Sequence, residues 1–333
     1  MKPIDVIEDC SADKIPDAVF SSREPLVLKG LVKNWPAVIA AQESAEAVND
    51  YICRFYTGEP VNAAIGDEDN DGRVFYNEDM SGFNYTRHRV HLNRVLASIR
   101  SLEDMGSSRA FYVDSAPVEY CIPEFRNEND ISLEPFSPRV SLWIGNKTMV
   151  SAHYDIPDNI ACVVAGKRRF SLFPPEQLTN LYIGPLDFNP AGQAISLVDV
   201  KNPDFEKFPQ AREALDAARV VDLEAGDGIF IPSMWWHSVE GLETFNVLVN
   251  YWWTSTPGYL GSPLDAFNHA LLAIKSLPEA QRIHWKNLFN YYVFDHHYND
   301  ISHIPPERLG ILNGIDETTV RRLRSQLLNR LNR

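Results

Sequence analysis

The sequence predicts a mainly β protein, a sandwich or barrel of short strands with helices on either side of it in the chain. Two patterns lead there. Between Arg109 and Trp253, short apolar runs are broken by Gly, Pro, Asn and Asp, and the helical period fades. Before that stretch, and again after Pro257, apolar residues recur at i, i+3 and i+4. The bulk numbers agree. The chain has 333 residues, 44% hydrophobic and 23% charged, so a large core needs no covalent staples.

Taken in order, residues 24–30 read as a short strand closed by Gly30, Trp35-Pro36 as a turn into a helix, and 45–56 as a helix. Residues 61–65 suit a strand. The acidic run 66–72 lacks the terminal glutamate of a calcium-binding loop and reads as a solvated hairpin turn. Residues 85–102 read as one amphipathic helix, with Leu92, Val95, Leu96, Ile99 and Leu102 on its apolar stripe. His88 and His91 lie on that helix and read as surface histidines. Nine candidate strands follow at 110–114, 140–145, 149–155, 159–165, 168–174, 218–223, 227–232, 236–240 and 245–253. Residues 175–182 suit a turn or two of helix, and 189–219 a polar insertion between strands. Helices are expected to start at Ser262-Pro263, at Pro278, and at Asp316 as an N-cap. The implied organisation is an α/β segment over 1–108 packed on a β core over 109–256, then a helical region over 257–333.

A net charge of -14 and a pI near 5.1 disfavour general nucleic-acid binding. Cys10, Cys53, Cys121 and Cys162 form no CxxC pair, which disfavours a zinc cluster or a disulfide framework and suits reduced thiols in a cytoplasmic protein. The first ten residues contain no signal-peptide segment, and no run of about 18 apolar residues suggests a membrane span.

The chemistry centres on Ser151-Ala-His-Tyr-Asp155. On a strand, His153 and Asp155 project from the same face. A second histidine follows the Gly226-Asp-Gly228 turn, the apolar run Ile229-Phe-Ile231 and Pro232, in Trp235-Trp-His237. It lies 82 residues beyond Asp155 and must come from another strand. Two imidazoles and one carboxylate suit ferrous iron and leave open positions on the metal.

Together, Ala152-His-Tyr-Asp155, Asn159, the run 166–175, Gly226-Asp-Gly-Ile-Phe-Ile-Pro232, Trp235-Trp-His237 and Val249-Asn-Tyr-Trp252 resemble the cupin-type Jumonji-C oxygenases. The subgroup of the factor-inhibiting-HIF asparaginyl hydroxylase is the nearest in pattern. The resemblance runs from about residue 24 to 253. It implies a double-stranded β-helix (a jelly-roll or cupin barrel) followed by a C-terminal helical region. It also implies an oxygenase reaction that couples 2-oxoglutarate and O2 to hydroxylation or demethylation. By motif, His153, Asp155 and His237 would hold Fe(II). Arg168 stands where the subgroup has a lysine for the distal carboxylate of 2-oxoglutarate. It shares a strand face with Phe170 and Leu172, while Lys167 and Arg169 share the other. Lys167 is the alternative should the register differ. Tyr112, Asn159, Asn250 and Trp252 match family residues around the keto acid and metal, and Val150 replaces a threonine. The expected substrate is a peptide or protein side chain or an amino-acid-like small molecule, and the C-terminal helices are expected to form a homodimer. The alternative is a non-catalytic, metal-binding cupin acting as a sensor or binding module.

Overall fold

The computed structural model describes residues 2–66, 71–105, 109–190, 192–298 and 301–332. It divides into two compact units, Met1–Thr254 and Ser255–Arg333. In the first, the strands are β1 (Asp5–Ile7), β2 (Leu26–Leu28), β3 (Val61–Gly66), β4 (Arg73–Val74), β5 (Tyr85–Val90), β6 (Phe111–Pro117), β7 (Arg139–Gly145), β8 (Met149–Tyr154), β9 (Asp158–Ala165), β10 (Lys167–Phe173), β11 (Arg219–Glu224), β12 (Gly228–Ile231), β13 (Trp236–Gly241) and β14 (Asn246–Trp253). Its helices are α1 (Asp17–Ser21), α2 (Pro36–Glu43), α3 (Ala45–Phe55), α4 (Leu92–Met105), α5 (Val118–Cys121) and α6 (Ala211–Ala217).

The strands form two sheets, in the orders β1-β2-β12-β9-β14-β7-β6-β3-β5 and β11-β10-β13-β8-β4. This is the expected two-sheet cupin core with flanking helices. Period-two alternation explains its layers. On the larger sheet, Ile160, Cys162 and Val164 of β9, Val247, Val249 and Tyr251 of β14, and Val140, Leu142 and Ile144 of β7 pack into one core. That core also contains Val38, Val48, Ile52, Leu92, Val95 and Ile99 from α2, α3 and α4. The intervening residues Ala161, Val163 and Leu248 pack instead with Phe170, Leu172, Leu223, Ile229 and Ile231, which span both sheets. Both faces of β9 and β14 are therefore buried, and their polar inward residues need partners.

Two turns hold the strands in register. Gly166 alone joins β9 to β10, at φ 74°, and a Cβ there would lie 2.4 Å from the Phe245 carbonyl oxygen and 2.5 Å from Asn246 Oδ1. Asn246 Oδ1 accepts from Lys167 N at 3.2 Å, which fixes the first residue of β10. In the Gly226-Asp-Gly228 turn, Asp227 is buried and accepts from Lys29 Nζ at 2.8 Å, Gly30 N at 3.0 Å and Glu224 N at 3.2 Å. It ties the end of β2 to the β11–β12 connection.

One expectation is corrected. Residues 85–90 are not helical: β5 pairs along its length with β3, from Tyr85 opposite Gly66 to Val90 opposite Val61, and α4 begins at Leu92. The helical stripe named from the sequence starts only at Leu92, so it carried no information about 85–90. There, pairing with a strand that already belonged to the sheet decided the conformation. His88 and His91 therefore share no helix face. His88 Nε2 contacts Thr86 Oγ1 at 2.9 Å, and His91 Nδ1 lies 3.0 Å from the Gly58 carbonyl. The core of the acidic run, 67–70, lies outside the described residues.

The second unit carries α7 (Pro263–Ala273), α8 (Glu279–Phe289) and α9 (Glu317–Leu331). Ser262 Oγ accepts from Leu264 N, and Asp316 Oδ1 from Thr319 N at 2.7 Å, as N-caps. Leu272, Val293, Phe294, Ile283, Leu328 and Leu331 are exposed on this unit. Among the described residues no helix is long and apolar enough to cross a membrane.

Gly166→Ala is expected to lower the unfolding free energy by at least about 1–3 kcal/mol, the cost of a side chain in the left-handed region. The clash with the Phe245 carbonyl adds to it. Urea unfolding followed by circular dichroism measures the change.

Candidate metal centre

The two histidines meet because β8 and β13 pair antiparallel, with His153 directly opposite His237 and Tyr154 opposite Trp236. Their rings lie 4.4 Å apart between centroids. Asp155 follows the end of β8, and its Oδ2 lies 3.6 Å from His237 Nε2. One ligand atom from each of His153, Asp155 and His237 falls within 4.8 Å of the others. Each imidazole is oriented the same way. His153 Nδ1 donates to the Ser151 carbonyl at 3.0 Å, and His237 Nδ1 to the Trp235 carbonyl at 3.0 Å. A carbonyl can only accept, so each Nδ1 carries a hydrogen and Nε2 is the nitrogen of each ring left to bind a metal, as in a metal-ligating histidine. His237 is buried, and burial, with His153 adding to it, holds its pKa well below the usual histidine range. It is therefore neutral and ready to bind metal near pH 7.

Behind the ligands lies a layer of hydrogen bonds. Trp252 Nε1 donates to Asp155 Oδ2 at 2.9 Å, and Asn159 Nδ2 contacts the same oxygen at 3.4 Å. Asn250 Nδ2 in turn donates to Asn159 Oδ1 at 2.7 Å. Asn159, Asn250 and Trp252 come from inward positions of β9 and β14. The chain of contacts thus converges on the carboxylate and fixes its direction.

A cavity of about 390 Å³ opens in front of the triad. Arg168 and Tyr112 line it, and both are buried. The outward neighbours of Arg168 pair at the surface instead: Lys167 Nζ with Glu224 at 3.4 Å and Arg169 Nε with Asp222 at 2.7 Å. Arg168 is thus the buried cation of the cavity, and Lys167 does not line it. Burial pushes the guanidinium pKa down to about 10, still cationic at neutral pH. Arg168 makes no ion pair among the described residues, and its Nε has no partner. Trp143 Nε1 and Asn250 Oδ1 line the same cavity, and they too are buried without hydrogen bonds.

All eight residues singled out from the sequence border this cavity. Others escaped notice. A slip in the β8–β13 pairing sets Val239 opposite Val150 but His237 opposite His153. This extra residue on β8 lets Val150 and His153, three apart, both reach the cavity. Arg87, Asp114, Arg139, Trp143 and Gln193 also line it. Simple alternation would have suggested Asp114 from Tyr112. Nothing in the sequence marks Arg87, which belongs to the segment read as helical.

Trp252→Phe removes the donor to Asp155 but keeps the packing. It is expected to weaken Fe(II) binding by roughly 10–100-fold, as read by anaerobic titration with a competing chelator. A second outcome follows from His237. As pH falls below the ordinary histidine value of 6.5, the unfolded chain takes up a proton before the folded one. The metal-free protein therefore loses stability through the weakly acidic range. Urea midpoints at a series of pH values check this, and His237→Gln flattens the slope.

Comparison with known proteins agrees with the geometry. The chain is 34% identical over 117 residues to the lysine-specific demethylase JMJ31 of Arabidopsis thaliana, covering 35% of this chain and 21% of that protein. It is 31% identical over 179 residues to tRNA wybutosine-synthesizing protein 5 of Gallus gallus, covering 48% and 51%. Its identity to the Homo sapiens protein of that name is 26% over 290 residues, covering 80% and 82%. The chain thus spans about a fifth of the first relative and about half of the second. The matches do not single out the asparaginyl-hydroxylase subgroup. The signature of the Cupin-like domain matches residues 12–259, and the chain belongs to that family.

Proposed function

We propose that this protein is an Fe(II)- and 2-oxoglutarate-dependent oxygenase, with His153, Asp155 and His237 as metal ligands and Arg168 as the anchor of the keto acid. One observation carries the reading: the triad shares its cavity with a buried arginine that has no anionic partner among the described residues. An unpaired buried charge is costly. A small dianion able to reach both the metal and the guanidinium would relieve that cost. Two imidazoles and one carboxylate suit ferrous iron and leave positions for such a ligand. Iron and the keto acid, when bound, would supply the activation of O2.

The protein's own groups hold and orient. Arg168 offers a two-point fork to the distal carboxylate, a grip that lysine cannot make. Tyr112 lies beside it on the cavity wall, and the buried Trp143 Nε1 and Asn250 Oδ1 are free to bond a polar guest. Trp252, Asn159 and Asn250 keep Asp155 aimed, while apolar walls such as Phe170 and Leu248 exclude water.

The substrate we favour is a peptide or protein side chain or an amino-acid-like small molecule, because the chain is acidic and the cavity is small. Of the relatives' names, one points to lysine, a side chain within that class, and the other offers a tRNA as a rival. The four free cysteines suit a reducing compartment, and we assign the protein to the cytoplasm. The exposed apolar residues of the second unit support a homodimer through the C-terminal helices.

Under anaerobic conditions, the Fe(II) protein titrated with 2-oxoglutarate is expected to develop the weak visible band of a chelated keto acid. Its absence at saturating ligand favours the non-catalytic sensor reading instead. Arg168→Met is expected to raise the keto-acid dissociation constant by about 30-fold or more, as for truncating one side of a buried charge pair. Light scattering tests the dimer, and a monomer at micromolar concentration rejects it.

A further inference from the structure

Strand β6 contains an irregularity that serves no purpose in the core. Tyr112 and Val113 pair with Gly145 and Ile144 of β7, and pairing resumes only at Ala116 opposite Leu142. β6 therefore carries one residue more than its partner across this step, a β-bulge. Ser115 sits there at φ 41°, in the left-handed region that a non-glycine residue enters at a cost. Val113 and Ala116 on either side stay buried in the main core. The consequence is that two successive residues, Asp114 and Ser115, both reach the cavity wall.

Asp114 is the one that matters chemically. Its side chain keeps 25% of its exposure, and it is not part of the metal triad. Its only charged neighbour at bonding range among the described residues is Arg87, with Nη2 3.4 Å from Oδ2. That guanidinium group also donates to the Pro190 carbonyl. No described residue donates a hydrogen bond to the Asp114 carboxylate, which can accept several. A half-sheltered carboxylate with open acceptor sites, facing a cavity, calls for N–H donors from a guest. Arg139 also lines the cavity, with its guanidinium 4.7 Å from the centre of the Trp252 ring, and makes no ion pair among the described residues. It lies four residues before Trp143, the β7 residue opposite the bulge, or about 13 Å along the strand. The two groups suit a guest that is cationic at one end and carries a carboxylate or carbonyl at the other.

We propose that Asp114 is a specificity-determining residue that receives the cationic nitrogen of a basic side chain, with Arg139 taking the carboxylate or carbonyl end of the same substrate. This assignment rests on the oxygenase reading above. The competing role for Asp114 is a structural brace that holds Arg87 against Pro190.

The test uses the full-length Fe(II) protein saturated with 2-oxoglutarate. The probes are free L-lysine and L-arginine, and alanine pentapeptides with Lys, Arg, Gln or Glu at the centre. The anaerobic visible band and succinate formation in air are both recorded. A lysine or arginine probe is expected to perturb the band and to raise succinate about tenfold over the Gln and Glu peptides. Asp114→Asn is expected to abolish that preference. The proposal is overturned if Gln or Glu probes work as well, if no basic probe acts while the wild-type band is present, or if Asp114→Asn keeps the preference. It is equally overturned if Asp114→Asn loses the keto-acid band itself, the mark of a brace. A wild-type protein with no band sinks the oxygenase reading and this assignment with it.

Discussion

The pairing of β8 with β13 is the constraint on which the site depends. It sets His153 against His237 and leaves Asp155 at the strand end within reach of both. Backbone carbonyls of the same two strands then fix each imidazole through Nδ1. A shift of one residue would turn one histidine to the other face of the sheet and break the set. The metal-binding geometry is thus a property of sheet register before it is a property of the ligands. The turn at Gly166 fixes the start of β10, the strand that pairs with β13, while the turn at Asp227 secures β12 in the other sheet.

Around the triad, polar groups are placed where the fold would otherwise put apolar ones. Asn159, Asn250 and Trp252 occupy inward positions on strands buried on both faces. A buried amide is costly unless bonded, and these groups bond one another and end on Asp155. The cavity is also asymmetric in charge. It has a buried arginine without a counter-ion in one part and a loosely paired carboxylate with two exposed arginines in another. In a low-dielectric enclosure such charges choose ligands far more sharply than the same charges on an open surface. The net acidity of the chain disfavours nucleic acid as a partner, while the charges lining the cavity select among small guests.

Much of the β core was legible because its strands are short, apolar and punctuated. The strands expected at 140–145, 159–165 and 245–253 match β7, β9 and β14 within a residue or two. The triad was legible for a different reason: imidazole, carboxylate and their strand spacing are chemistry that the letters state directly. Arg168 followed from its place in the family motif together with alternation, since β10 runs without a bulge between Lys167 and Phe173. Residues 85–90 failed because β5 is an edge strand whose polar residues face solvent. Its only strong instruction is a partner strand some twenty residues earlier, and local periodicity cannot express that.

By itself, then, the sequence determined the identity of the metal-ligand set, the β character of the core and the strand face of its buried cation, because each depends on residue type and local period. Only the tertiary structure decided that His153 and His237 stand opposite one another. It also decided that Trp252 and Asn159 meet on one oxygen of Asp155, and that Asp114 and Arg139 share a wall with the metal site. These depend on which strands pair and where a bulge inserts a residue. Strand pairing and bulges are set by the closure of the whole barrel, and no short stretch of chain contains that information.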